Sequence, residues 1–244
     1  MGEVIAVLSG KGGTGKTSIT AGLACALASE EHKVLCIDCD VGLRNLDISL
    51  GASDQASLSF LDVCLGHYSL DQLRPHPGFP SLHFLTAPMS CSAEDIDPAA
   101  FGDLVMSARR RYDYVFLDAP AGVDAGFRLC AAKADRVLLV TGPDPAAVRD
   151  AGRTGQMLEL IGREDVRLIV NRVTPKLVSS MDLTIDDVMD DTGLPLIGIV
   201  PEDPNVVLAA AFGKPLLNYT KKGAAAACRR IAKRVQGLPV KISL

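Results

Sequence analysis

The chain has 244 residues, 48% of them hydrophobic, with 25 Lys and Arg against 29 Asp and Glu for a formal net charge of −4. That balance excludes a disordered polyelectrolyte and supplies one sizeable α/β core without a disulfide framework. Seven cysteines, an odd number scattered singly, are expected to be reduced core thiols; with no leader pattern and no run of about 18 apolar residues, a cytoplasmic protein is expected.

In chain order, a continuous apolar run at 4–8 predicts a first strand, and residues 16–31 predict a helix with Ile19, Leu23 and Leu27 spaced four apart. Runs at 34–37, 82–85, 114–117, 137–140, 167–170 and 196–200 predict six further strands. The three prolines and Gly78 within 75–80 mark a loop, residues 146–161 a helix, and 224–235 a last helix stopped by Gly237 and Pro239. Continuous rather than alternating hydrophobicity suits strands covered on both faces. The expected fold is therefore α/β: a doubly wound, mostly parallel sheet with helices on both faces, of the P-loop NTPase type. One domain is expected over 1–244, with 221–244 forming a basic C-terminal helix and short tail. Cys36 and Cys39 form a Cys-x-x-Cys spacing, but on a strand they would point to opposite faces. Core packing is the expectation for both.

The first strand runs directly into Gly10-Lys11-Gly12-Gly13-Thr14-Gly15-Lys16-Thr17, which fits the phosphate-loop pattern. Glycines there let backbone N–H groups curl around phosphate oxygens. Lys16 can bridge the outer phosphates, and the Thr17 hydroxyl can hold Mg²⁺. Lys11 is an additional lysine that the general pattern does not require. A lysine pointing away from its own ligand completes a charge clamp only when a second subunit arrives. Asp118, after the run 114–117, has the setting of a Walker B aspartate on Mg²⁺. Asp38 and Asp40, two apart at a strand end, can sit near one metal or one attacking water. Residues 118–124 form a glycine-containing loop able to sense a γ-phosphate. The plainer readings are capping or turn aspartates and an ordinary strand-to-helix loop.

The phosphate loop with Lys11, the string Gly42-Leu43-Arg44-Asn45-Leu46-Asp47 and the string Asp118-Ala119-Pro120-Ala121-Gly122 together resemble the MinD/ParA family of deviant Walker A ATPases, on its MinD-like septum-site side. The likeness continues in order through Val148-Arg149-Asp150, Val170-Asn171-Arg172 and Pro201-Glu202-Asp203, about residues 1–220. The resemblance implies ATP and Mg²⁺ as cofactors and slow, partner-stimulated hydrolysis serving division-site placement or related positioning. ATP would be held by Gly10, Lys11, Gly12, Gly13, Thr14, Gly15, Lys16, Thr17 and Ser18, with Asn171, Arg172, Pro201, Glu202 and Asp203 bordering the adenine. Thr17, Asp38 and Asp118 would serve the metal, Asp40 would orient the hydrolytic water, and Lys11 would reach the partner's phosphates in an ATP-dependent homodimer. An activating protein is implied as well.

Members of the MinD branch usually end in a short amphipathic membrane helix. After Gly237 this chain reads Leu238-Pro239-Val240-Lys241-Ile242-Ser243-Leu244, where Pro239 opposes such a helix. From Pro204 onward it has eight basic and no acidic residues. That tail could make weak contact with the inner membrane surface or with DNA, or be a solvated helix face. A ParA-like, DNA-associated partitioning ATPase is thus the alternative function. More distant is an iron–sulfur electron-transfer ATPase, whose cluster cysteine follows the Walker B aspartate closely. Here Ala125 lies seven beyond Asp118, and Cys130 twelve beyond.

Overall fold

All seven apolar runs become strands in the computed structural model, which describes residues 1–55, 57–89, 91–174 and 185–243. They are β1 (Glu3–Leu8), β2 (Val34–Asp38), β3 (Leu82–Leu85), β4 (Tyr114–Asp118), β5 (Arg136–Thr141), β6 (Val166–Val173) and β7 (Leu196–Pro201). The sheet order is β3-β2-β4-β1-β5-β6-β7, and every pairing is parallel rather than mostly so. The α-helices are α1 (Lys16–Ala28), α2 (Leu46–Ser49), α3 (Phe60–Cys64), α4 (Pro98–Arg109), α5 (Ala125–Lys133), α6 (Pro145–Leu160), α7 (Ile185–Thr192), α8 (Asn205–Ala211), α9 (Leu216–Tyr219) and α10 (Gly223–Val235). Leu244, the end of the expected tail, lies outside the described residues.

Two cores explain the uninterrupted apolar strands. On one face Val4, Ala6 and Leu8 pack with Phe101 of α4, Phe127 of α5 and Leu158 of α6. On the other, Ile5 and Val7 pack with Ile19, Leu23 and Leu27 of α1 and Ile231 of α10. The inner strands therefore have no solvent side on which to place polar residues, and on β6 only Arg167 and Arg172 are exposed. Cys36 belongs to the second core and Cys39, one residue past β2, to the first, so the expected opposition holds.

Helix α1 departs from expectation in two respects. It ends at Ala28, not Glu31: Ser29 Oγ donates to Cys25 O at 2.7 Å, and Glu31 turns left-handed at φ 67°. Its apolar residues also form no single face, because α1 is held between the sheet and α10 and is buried almost throughout. The helix expected over 146–161 forms one residue earlier, with Pro145 at its first turn and the Asp144 side chain accepting from Ala147 N at 3.0 Å.

The basic C-terminal segment is partly engaged with its own chain. Arg234 donates to Ile197 O at 2.7 Å and Val240 O at 2.8 Å, Arg230 to Ser243 O at 2.8 Å, and Arg229 to Leu217 O at 3.3 Å. Three of the eight basic side chains thus strap the tail and α9 onto α10, while Lys214, Lys221, Lys222, Lys233 and Lys241 stay exposed. Among the described residues no helix is long and apolar enough to cross a membrane.

Candidate nucleotide-binding site

The carboxyl ends of β1, β2, β4, β6 and β7 bring the sequence-predicted residues to one rim of the sheet, where ligands of open α/β sheets bind. Residues 9–15 curl from β1 into α1, whose N-cap is Gly15 at φ 93°. A side chain at Gly15 would be strained by that dihedral and would also collide with Asn171 Nδ2. Gly10 is fixed by close approach: a Cβ there would meet Asp150 O at 2.9 Å and Thr154 Oγ1 at 2.6 Å on α6. The ammonium of Lys16 is buried and donates to Ser9 Oγ at 2.8 Å. Burial lowers its pKa, opposed by the carboxylates of Asp118 and Asp40.

The three aspartates differ in what they are free to do. Asp38 accepts from Asp40 N at 3.0 Å and Leu46 N at 3.1 Å, so both its oxygens organise the loop that carries Asp40. Burial raises its pKa to about 6, against those two hydrogen bonds. Asp118 accepts from Thr20 Oγ1 at 2.9 Å through one oxygen. Its other oxygen, Oδ2, is buried and without a protein partner. Burial, with Asp38 close by, raises the Asp118 pKa to about 7, opposed by the neighbouring hydroxyls of Thr17 and Thr20. Asp40 is only part-buried; burial raises its pKa and Lys16 lowers it. Of the three, Asp40 is the carboxylate open to the rim.

On the other side of α1 lies a cleft lined by Gly15, Ser18, Asn171, Pro201, Val206 and Cys228, among others. Its walls are largely apolar, as a flat aromatic base requires. Asn171 Nδ2 donates to Thr14 O at 2.8 Å and ties this cleft to the phosphate loop. Arg172, left-handed at φ 60°, lies 3.8 Å from Glu202 at the mouth. Asp203 lines the cleft, but its carboxylate accepts from Asn205 N at 3.0 Å and Ala224 N at 2.9 Å, capping the starts of α8 and α10. It faces the cleft with its side chain already committed.

Lys11 pairs with Asp144 at 3.2 Å, the side chains being 39% and 50% exposed. Gly12 faces Ala121 of the loop after β4, a Cβ on it lying 3.6 Å from that methyl. Ser9, Thr20 and Asp144 are site residues that the sequence reading passed over. Thr20 lies four residues after Lys16, one helical turn on, and that spacing was the available signal. For Asp144 the Asp-Pro start of α6 was visible, but not its meeting with Lys11 133 positions away.

Mg²⁺ fits the donor set. The bare Asp118 Oδ2, with the Thr17 hydroxyl beside that carboxylate, supplies hard oxygens where a buried orphan would otherwise be costly. Comparison with known proteins agrees in kind. Residues 5–216 match the CobQ/CobB/MinD/ParA nucleotide binding domain. The septum site-determining protein MinD of Synechocystis is 38% identical over 97% of this chain and 90% of its own length. The MinD of the MinC:MinD cell division complex of Aquifex aeolicus superposes with a TM-score of 0.92 at 34% identity, covering 99% of this chain and 98% of that one. Pyrococcus horikoshii MinD with Mg-ADP gives 0.84 at 28% identity, covering 96% of each chain.

Proposed function

The chain belongs to the CobQ/CobB/MinD/ParA nucleotide-binding family, and from that premise we propose how its rim of charged residues serves as a dimerisation switch. It is a MinD-type ATPase of division-site placement that uses ATP and Mg²⁺. In our reading residues 1–244 act as one ATPase domain with 221–244 as a basic appendage. Residues 10–18 bind the phosphates, and Lys16 moves from Ser9 onto the outer phosphate oxygens. Thr17 and Asp118 would hold Mg²⁺, which would supply neutralisation of the phosphate charge. Asp38 serves the metal site by shaping the 40–46 loop, and Asp40 orients the attacking water. Asn171, Arg172 and the 201–203 segment border the adenine.

The observation that carries this reading is the second lysine. The Lys11 side chain points to the rim, away from the phosphate-binding side of its own loop, and is held by a half-exposed carboxylate at the N-cap of α6. Such a lysine can leave Asp144 at modest cost and neutralise a phosphate of a second copy. ATP then favours the homodimer and hydrolysis releases it. The Aquifex neighbour is a complex of MinC with MinD; a protein partner of that kind, and an activator of hydrolysis, belong to the proposal. So does a cytoplasmic, peripheral placement in which the exposed lysines of the basic segment touch anionic lipid weakly. Asp40→Ala is expected to bind ATP and accumulate as dimer, and wild-type turnover in that variant would remove Asp40 from the reaction. Sedimentation with anionic vesicles and with DNA, each in ATP and in ADP, tests the tail. DNA binding without vesicle binding would favour the ParA-like alternative. The iron–sulfur alternative has the physical obstacle that Cys130 is fully buried in the core.

A further inference from the structure

Helix α8 turns its apolar residues to water. From 204 to 213 the chain reads Pro-Asn-Val-Val-Leu-Ala-Ala-Ala-Phe-Gly, with no charged residue. Its one polar side chain, Asn205, donates to Asp203 Oδ1 at 2.7 Å. A surface helix ordinarily faces the core with its apolar residues and water with its polar ones. Of the seven residues of α8 only Ala209 is buried. Val207 is 72% exposed, Leu208 43% and Phe212, one residue past the helix, 65%. Leu208 and Phe212, four apart, share a face. The Phe212 ring stacks on Tyr219 of α9, with centroids 6.0 Å and planes 15° apart, which fixes it at the surface. Cations flank this patch. Lys214 follows Phe212 by two residues and Lys221 follows Tyr219 by two. Lys222 caps the start of α10, which Asp203 ties to the start of α8. All three lysines are exposed. The acids that precede α8 are occupied, Asp203 by those two helix starts and Glu202 by Arg172 at 3.8 Å.

We propose that the α8–α9 surface is a docking site for an anionic lipid surface, with Leu208 and Phe212 entering the acyl boundary and Lys214, Lys221 and Lys222 at the headgroups. Apolar side chains that stand out of the protein gain by leaving water, and interfacial helices combine such a face with cations. The long lysine stem keeps its ammonium at headgroup level beside buried neighbours. Nucleic acid would engage the cations through phosphate but would leave Leu208 in water. A bilayer uses both halves of the patch. The proposal rests on the peripheral placement given above and assigns its contact to α8 and α9, away from the tail, where Arg230 and Arg234 are spent on carbonyls.

The chain has no tryptophan, so Phe212→Trp places a single emission probe in the patch. Its emission should shift to the blue on vesicles of equal parts phosphatidylglycerol and phosphatidylcholine, and stay unchanged on phosphatidylcholine alone or on duplex DNA. In vesicle sedimentation, Leu208→Ser with Phe212→Ser should lower the partition coefficient about tenfold or more, the scale of two half-covered apolar side chains, with ADP binding retained. Replacing Lys214, Lys221 and Lys222 by Gln should lower it about fivefold per lysine. Val207 also borders the base cleft and is left intact. Wild-type partitioning by the Leu208→Ser, Phe212→Ser protein, or an unshifted tryptophan on vesicles that carry the protein down, would overturn the patch and leave the peripheral placement standing. Failure of the wild type to sediment with anionic vesicles in either nucleotide would remove that placement, and the patch with it. An emission shift on DNA, or one that grows with protein concentration in the absence of vesicles, would mark nucleic acid or a second copy as the occupant, against the proposal.

Discussion

Asp144→Asn isolates the ion pair that keeps Lys11 on its own subunit. Asp144 has two jobs: it accepts from Ala147 N to cap α6, and it pairs with Lys11. Asparagine caps a helix about as well as aspartate, so the substitution removes the charge and keeps the cap. With both side chains well exposed, the pair is worth about 0.2–1 kcal/mol rather than the several that burial would give. A dimer must break two such pairs, so the variant should gain about 0.4–2 kcal/mol, raising the ATP-supported association constant roughly 2- to 30-fold. Light scattering against protein concentration in Mg-ATP measures this directly. The gain should shrink as salt rises, because the Debye length falls to about 3 Å at 1 M. Association no stronger than wild type at low salt, or a gain that salt leaves untouched, would refute Asp144 as the intrasubunit restraint on Lys11.

Three further outcomes follow from the buried end of the site. Thr20→Val removes the hydroxyl on Asp118 Oδ1 with little change of shape; it should weaken Mg²⁺-dependent nucleotide binding about tenfold, the scale of a charged hydrogen bond. Titration of fluorescent ADP binding with Mg²⁺ reads this, and an unshifted Mg²⁺ midpoint would count against it. Asp118, with its folded pKa raised to about 7 from an ordinary 3.8, binds its proton more tightly in the native state. Its contribution to nucleotide-free stability is fully present below the unfolded value and is lost as pH rises toward 7. Asp118→Asn should therefore flatten the fall of the melting temperature between pH 5 and about 7.5. Calorimetry should also register proton release when Mg-ADP binds near pH 6.5, where most of Asp118 is still protonated. A melting profile with the same slope in both proteins would contradict the assignment.

The strands were legible because burial on both faces leaves a coarse signature, an unbroken apolar run, which the two cores around β1 explain residue by residue. The acids and the phosphate loop were legible because phosphate chemistry tolerates few alternatives at those positions. What a linear reading could not reach were the meetings of distant residues: Lys11 with Asp144, Asn171 with Thr14 O, and Asp203 with the start of α10. Periodicity also misled at α1, since a helix covered by both the sheet and α10 has no polar face to reveal its limits. The basic tail could be read from sequence as charge for lipid, for DNA or for solvent, yet Arg234 bonds three carbonyls, including one of β7. Net charge does not report whether a guanidinium is already occupied.

In our reading ATP joins two copies of this chain through Lys11. Light scattering of wild type and Lys11→Ala in Mg-ATP and in Mg-ADP tests it most directly, with bound nucleotide measured in the same samples. The wild type should reach dimer mass in ATP and remain monomeric in ADP, while Lys11→Ala stays monomeric in both and still retains nucleotide. Dimers of Lys11→Ala in ATP at wild-type concentrations would contradict the account.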